Sequence, residues 1–302
     1  MKQFLEFAKL SGSGNDFICI DSRNGEWDEI LSVPERIGHF VRTLCPRGMS
    51  VGADGVIFAC TPEIEGVSDI AVRYFDPDGS EIELCGNGTG CFVRWVTDNG
   101  WVPRKDVKIL TCAGVVRGEI SDGQYVRVCI PTPEDIRRDI RVRADGRDWT
   151  LESAVTGTPH AVAYVDDVAA VNVDKVGAEI RHHSVFGQRG ANVNFVQVLG
   201  KDDIAVRTFE FGVEGETLAC GTGSATAAVL TAQRMGWANG RCCDEPIRVH
   251  VRSRDVLRVY FTSENGAVSD VCLETVVRPI YTARLHPQLL SRALDLPGYP
   301  PA

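Results

Sequence analysis

The sequence contains no C-x-x-C knuckle, no G-x-G-x-x-G turn, no basic tract and no apolar run of membrane-spanning length. Each absence closes a class of function. Cys85 and Cys91 lie too far apart for a zinc knuckle and Cys242 and Cys243 are adjacent, so no metal centre is expected. Without the glycine fingerprint a dinucleotide site is not indicated. A net charge of -9 with no clustered lysine or arginine leaves nothing to neutralise a phosphate backbone, which argues against nucleic acid as a partner. The start, MKQFLEFAKLSGSGNDF, lacks the apolar core of a secretory signal, and no segment reads as a membrane span. The eleven cysteines are odd in number and have no disulfide-framework spacing, which fits a reducing cytoplasm.

What is present is a stretch that occurs twice. VRYFDPDGSEIELCGNGTGC runs from Val72 to Cys91, and VRTFEFGVEGETLACGTGSA from Val206 to Ala225. Each copy opens as a V-R-x-F strand, continues through a polar acidic loop, and reaches a cysteine followed at once by glycines and an apolar helical run. In Cys85-Gly86-Asn87-Gly88 and Cys220-Gly221-Thr222-Gly223 the missing side chains let backbone N–H groups converge, and the N-terminus of the following helix faces the same point. A carboxylate is well held there, and the same helix end raises the thiolate fraction of an adjacent thiol. Two such elements can grip one carboxylate and set a sulfur on each face of its α-carbon, the geometry of a two-base racemase. A lone cysteine is more often a small buried hydrophobe. Two core cysteines have no reason to share a C-G-x-G turn and a matched strand, so catalysis is the stronger reading for Cys85 and Cys220.

At 302 residues, 44% hydrophobic and 24% charged, the chain is long enough for two domains with ordinary globular composition. Alternation predicts a strand over Gln3 to Ala8 and a tight turn at SGSGNDF, while Pro34 to Leu44 has helical spacing and VGADGVIF leads into a strand. Helices are expected from about Cys91 to Asn99 and from Ala225 to Trp237. Pro131 to Asp139, polar with two prolines, reads as the crossover between halves. The expected fold is α+β: two pseudo-symmetric domains, each a curved, mainly antiparallel sheet around a central helix, with the active site in the cleft between them. Residues 1–131 form the first, rejoined by a final strand at about 272–285. Residues 132–271 form the second, and 286–302 a loose tail. By themselves, Asn15 reads as turn chemistry and His160 as a structural histidine.

The collinear set GSGNDFICID, VGADGV, DGSE-x-x-x-CGNG, GTPH, ANVNFVQV and GETLACGTGSA resembles the diaminopimelate epimerase family, from Phe4 to about Arg284. That family inverts the α-carbon of an amino acid without pyridoxal phosphate. The resemblance implies a homodimer with no metal or organic cofactor, epimerisation of LL- to meso-diaminopimelate, and Cys85 and Cys220 as the acid/base pair. It implies that Asn15, Asp76, Thr158, His160, Asn192, Glu210 and Phe211 lie at or beside the substrate. Gly86, Asn87, Gly221 and Thr222 then present amides to the α-carboxylate. Four positions depart from the family pattern: Asp76 where the family usually has F-N, Thr158 where it has G-N-P-H, Gly90 where it has C-G-N-G-A-R-C, and Phe211 where it has E-R-G. The catalytic centre is kept and the distal end of the pocket is altered, so diaminopimelate ranks first. The alternative is a racemase of another α-amino acid with an apolar or cationic distal end. A proline-racemase reading meets Asn87 where that family has histidine, a phenazine-type isomerase lacks the paired thiols, and an inactive binding protein has no need to keep both.

Overall fold

The two V-R-x-F strands occupy equivalent places in two ladders of the same order. The computed structural model describes residues 4–62 and 66–295, and the chain divides into two units, Met1–Val128 with Val277–Ala302, and Cys129–Val276. The first contains β1 (Glu6–Gly12), β2 (Asn15–Asp21), α1 (Asp28–Leu31), α2 (Pro34–Leu44), β3 (Gly55–Cys60), β4 (Ile70–Phe75), β5 (Glu81–Ile82), α3 (Gly86–Asp98), β6 (Val107–Thr111), β7 (Gly114–Asp122) and most of β8 (Tyr125–Cys129). The second contains β9 (Glu134–Ala144), β10 (Arg147–Thr156), β11 (Thr158–Tyr164), α4 (Val173–Arg181), β12 (Asn192–Gly200), β13 (Asp203–Glu210), β14 (Gly215–Thr217), α5 (Gly221–Met235), β15 (Ile247–His250) and β16 (Val256–Glu264). The long β17 (Ala267–Arg284) begins in the second unit and ends in the first, where α6 (Pro287–Leu294) follows it.

In the first unit β1 pairs antiparallel with β2, β2 parallel with β3, β3 antiparallel with β4, and β4 with the short β5. β4 then pairs parallel with β6, and β6, β7 and β8 follow antiparallel. The second unit repeats this order from β10 through β16: β11 and β12 parallel, β12 to β14 antiparallel, β13 and β15 parallel, then antiparallel through β17. Even the outer strand recurs, as the end of β17 against β1 and as β9 against β10. The duplication legible over twenty residues thus extends through a whole half of the fold.

Each ladder packs on one helix. α3 lies against β1, β2, β3 and β7, and α5 against β10 to β13, β15 and β16. α5 is buried on nearly every side from Gly221 to Ala232, so its first three turns carry Gly, Ala, Ser, Thr, Val and Leu rather than an amphipathic stripe. A second layer covers the other face of each sheet. Phe40, Val41 and Leu44 of α2 meet Trp27, Phe58 and Phe75, while Val173, Val176 and Ile180 of α4 meet Trp149, Phe195 and Phe209.

Several expectations need correction. Both central helices begin earlier than predicted, at Gly86 and Gly221, because glycine weakens a helix interior but is tolerated in the first turn, where close packing here requires it. Pro131 to Asp139 is not simply a crossover: β9 starts at Glu134. It hides from period-two reading because its pairing with β10 is interrupted by bulges and Asp135 and Asp139 have φ of 51° and 54°. The division between units falls at 128/129 and 276/277, inside β8 and β17, where the sequence reading set 131/132 and 271/272. The first strand is found from Glu6, Gln3 lying outside the described residues.

Residues 286–302 are not a loose tail over their described part. His286 caps α6, its Nδ1 accepting from Gln288 N at 3.3 Å, and the helix buries Leu290 and Ala293 in the core under α2. The prolines misled: Pro287 stands at the first helical position, where a missing N–H costs nothing. Leu290→Ala is therefore expected to lower unfolding free energy by about 2 to 5 kcal/mol, the usual range for a buried leucine. Urea denaturation checks this, since truncation on a loose tail leaves the midpoint unmoved.

Candidate active site

In both repeats the strand arginine and the loop glutamate form the same fork. Arg73 Nε and Nη2 donate to the two carboxylate oxygens of Glu81 at 2.6 and 2.7 Å, and Arg207 does the same to Glu216 at 2.6 and 2.8 Å. Each glutamate stands four residues before the cysteine. The remaining guanidinium nitrogen ties the fork to backbone carbonyls, Leu31 O at 2.7 Å in one unit and Val168 O at 2.9 Å in the other. Bidentate charge-assisted pairs of this kind fix geometry as well as energy, so the loop enters its helix at a defined angle.

Cys85 is the N-cap of α3, in extended conformation, and its Sγ accepts from Gly88 N at 3.3 Å. Thr89 N closes the first helical bond on Cys85 O at 2.7 Å, and the Thr89 hydroxyl also donates to that oxygen. A Cβ on Gly88 would lie 3.4 Å from the sulfur and 3.3 Å from Cys85 Cβ. Asn87 Nδ2 donates to Asn15 Oδ1 at 2.6 Å, which brings together the two asparagines of this unit singled out in the sequence. Asp76 sits in the turn between β4 and β5, its N donating to Ser80 O at 2.9 Å. Burial, with a smaller contribution from Asp78, pushes its carboxyl up to about 6.

Cys220 caps α5 in the same extended conformation and is 5% exposed. Here glycine is obligatory: a Cβ on Gly223 would stand 2.3 Å from Asn194 Oδ1 and 3.1 Å from Cys220 Sγ. Asn194 Nδ2 donates to Ala161 O at 3.0 Å and its Oδ1 accepts from Thr208 at 3.0 Å, which fixes the orientation of the amide. The same Nδ2 lies 3.3 Å from His160 Nδ1, so that nitrogen accepts and the ring proton belongs on Nε2. Nε2 then donates to Thr222 Oγ1 at 3.0 Å, with Thr158 Oγ1 at 3.2 Å, and the Thr222 hydroxyl is turned toward Cys220 Sγ, 3.7 Å away. His160 is wholly buried and burial pulls its pKa down to about 3, so it is neutral and reaches the sulfur only through Thr222.

The other predicted residues of this unit gather around Asn192. Its Nδ2 donates to Thr158 Oγ1 at 3.2 Å and its Oδ1 accepts from Phe211 N at 2.8 Å. Glu210 ends β13 beside Phe211, whose ring is 39% exposed. The Arg181 guanidinium lies 4.5 Å from that ring and the Arg189 guanidinium 5.9 Å. Arg181 is committed to Glu214 at 3.1 Å and to Arg189 O at 2.6 Å. Arg189 is exposed and makes no ion pair among the described residues.

The family model for diaminopimelate epimerase matches residues 7–130 and 153–268. The chain belongs to the diaminopimelate epimerase family. It is 39% identical to the diaminopimelate epimerase of Aquifex aeolicus over 290 residues, 95% of this chain and 99% of that one. To the diaminopimelate epimerase of Methanothrix thermoacetophila it is 38% identical over 295 residues, covering 90% and 99%. Solved structures share the fold at low identity. A phenazine biosynthesis protein of the PhzF family from Bacillus anthracis aligns with a TM-score of 0.73 at 15% identity over 95% of this chain and 100% of that one. A hydroxyproline epimerase from Agrobacterium vitis aligns at 0.68 and 14% over 98% and 97%.

Sequence reasoning missed the Arg73–Glu81 and Arg207–Glu216 forks, Asn194, Thr208 and the hydroxyl pairs Tyr74–Thr89 and Thr156–Thr226. One signal was available: Arg, Glu and Cys recur in the same order, and Glu to Cys at the same spacing, in both copies. Another was Asn192 and Asn194, two apart on a strand and so on one face. Among the described residues no cluster of three or more His, Cys, Asp or Glu stands close enough to hold a metal ion.

The buried neutral His160 predicts a pH effect. Its folded pKa lies below the unfolded value of about 6.5, so its stabilisation is complete above that pH and is lost as pH falls toward 3. Asp76, with its raised pKa, acts in the opposite sense, stabilising as pH falls from 6 toward 4. Replacing His160 by Asn separates the two: the fall in unfolding free energy on acidification from pH 6.5 to 4 should flatten by up to about 1.4 kcal/mol per pH unit, one proton's worth. Urea midpoints at stepped pH measure the slope, and identical slopes in parent and variant would refute a neutral ring.

Proposed function

We propose that this chain interconverts LL- and meso-diaminopimelate by two-base proton transfer, with Cys85 and Cys220 serving opposite faces of one α-carbon. The observation that carries the assignment of residues is the equivalence of the two cysteines, each the N-cap of the buried central helix of its unit and each behind an Arg–Glu fork. An amino-acid α-C–H is far too weak an acid for a thiolate in water. The reaction needs water excluded and the charge developing on the carboxylate met by fixed dipoles. The amides of Gly86, Asn87, Gly221 and Thr222 belong to first helical turns, whose N–H groups have no carbonyl within the helix to bond. One thiolate removes the α-proton, its electron pair delocalises into the carboxylate, and the opposite thiol returns a proton, so the sulfurs exchange roles at each turnover. Gly88 N on the Cys85 sulfur and the Thr222 hydroxyl near that of Cys220 favour the thiolate form of each. No cofactor is required by this chemistry. Among the described residues no helix is long and apolar enough to cross a membrane. The family resemblance supports a homodimer, and eleven cysteines without disulfide-framework spacing support a reducing cytoplasm.

Incubation with single-enantiomer substrate in deuterated water tests the scheme. Parent protein should place deuterium at the α-carbon of LL-diaminopimelate, with kcat/KM at least a hundredfold above lysine, ornithine, histidine or methionine, a gap of about 2.7 kcal/mol. Cys85→Ala and Cys220→Ala should each abolish epimerisation while Cys19→Ala, a buried core thiol, leaves it near parental. Normal turnover by either catalytic variant rules out two thiols, and a preference for a mono-carboxylate substrate favours the alternative racemase reading.

The distal carboxylate needs a cation that Phe211 does not provide, and Arg189, beside that ring and outside any ion pair among the described residues, is the proposed replacement. Arg189→Ala should raise KM for diaminopimelate roughly ten- to a hundredfold, the scale of a charge-assisted hydrogen bond, with kcat little changed. Steady-state kinetics decide it, since an unchanged KM excludes Arg189 from substrate recognition.

A further inference from the structure

The two thiols of Cys129 and Cys272 lie outside the chemistry described above, yet their sulfurs are 2.7 Å apart. Both belong to the second unit, and Ile130 N donates to Val271 O at 3.0 Å immediately beside them, so the pair spans two hydrogen-bonded backbone segments. Cys129 is exposed and Cys272 half-buried, which gives a small oxidant access. A disulfide requires sulfurs about 2.05 Å apart, so a small side-chain adjustment joins them while the backbone stays in place. Their position is also distinctive. The chain passes between its two units at 128/129 and at 276/277, and Cys129 is the first residue past one crossing while Cys272 lies four residues before the other.

We infer that Cys129 and Cys272 form a reversible redox-modification site, a dithiol that low-molecular-weight disulfides such as oxidised glutathione convert to a disulfide linking the two connecting strands. In the first step the Cys129 thiolate bonds to one sulfur of the small disulfide, and the other sulfur leaves as a thiolate and takes up a proton, giving a mixed disulfide. The Cys272 thiolate then attacks the Cys129 sulfur and expels the second small thiol. Two electrons and two protons pass from the protein to the small disulfide, and excess thiol reverses both steps. The bond closes a loop between residues 143 apart in sequence. It thereby restricts the unfolded chain more than a local cross-link can.

The test exposes the full-length protein to graded ratios of oxidised to reduced glutathione, quenches with an alkylating agent and maps disulfides by peptide mass spectrometry without reduction. A peptide pair joining Cys129 to Cys272, two hydrogens lighter than the dithiol and lost on adding dithiothreitol, is expected to appear before any other intramolecular link. The urea midpoint of oxidised protein should rise, and neither the link nor the rise should appear in Cys129→Ser or Cys272→Ser. Both variants keep parental deuterium exchange in reductant, which separates this site from Cys85 and Cys220. Alkylation of both cysteines at ratios that already oxidise other thiols, or a midpoint rise that persists in the serine variants, would overturn the proposal.

Discussion

The guanidinium–carboxylate fork in front of each cysteine is the constraint on which the rest of the site depends. A two-residue or three-residue strand such as β5 or β14 has too few ladder bonds to hold its own register. Arg73 and Arg207 supply what the ladder lacks by gripping Glu81 and Glu216 with two parallel bonds each. The two forks are not energetically equal. Glu216 has a side chain 4% exposed and takes a second guanidinium, that of Arg252, so its buried carboxylate is compensated from two sides and is costly to strip of both. Arg73 and Glu81 are each about a third exposed, and solvent screening reduces their pair to a geometric guide more than a source of stability. Cys220 is accordingly set in the more rigid and drier surroundings, and Cys85 in the more open ones.

Behind each cap the same problem is solved with different atoms. A helix whose first turn must approach a sulfur and a strand cannot carry Cβ atoms there, which explains Gly88 and Gly223. The polar groups that this close approach buries must then find partners. In the first unit Tyr74 OH and Thr89 Oγ1 meet at 2.8 Å, and in the second Thr156 and Thr226 meet at 2.7 Å. The second unit adds the chain from Thr208 through Asn194 and His160 to Thr222. A neutral imidazole held there orients a hydroxyl without bringing a competing charge near the thiolate, which a protonated ring would do.

Much of this was legible in the sequence because duplication made chance coincidence implausible. The paired C-G-x-G turns, the strands before them and the helices after them are present, and the family resemblance agrees with the family match and the relatives. What was not legible has physical causes. Glycine at Gly86 and Gly221 reads as a break in helix pattern, although these positions lie in a first turn packed against a sulfur. β9 is an irregular strand with left-handed aspartates, so its alternation is visible only from Ile140 onward. Proline at position 287 reads as a stop and acts as a start. His160 looks like a solitary histidine until Asn194, thirty-four residues away, is seen to fix its tautomer.

Where the chain keeps the family pattern and where it departs from it follows from which parts of the fold are duplicated. Cysteine, glycines and fork sit on elements that the ladder order forces into the same place twice, so a change there disturbs packing as well as reaction. Asp76-Pro77-Asp78 and Phe211-Gly212-Val213 occupy the turns between the paired strands, where all but the half-buried Asp76 are exposed and the two copies already differ. A substitution there costs the core little. Beside the Phe211 ring, Arg181 packs on the aromatic face and is neutralised by Glu214, while Arg189 keeps its charge outside any ion pair among the described residues. Burial raises the Asp76 carboxyl to about 6, so it is neutral at mildly acidic pH and ionised at higher pH. The departures at Asp76 and Phe211 therefore fall where the fold constrains the sequence least, which is why they leave the family match over residues 7–130 and 153–268 intact.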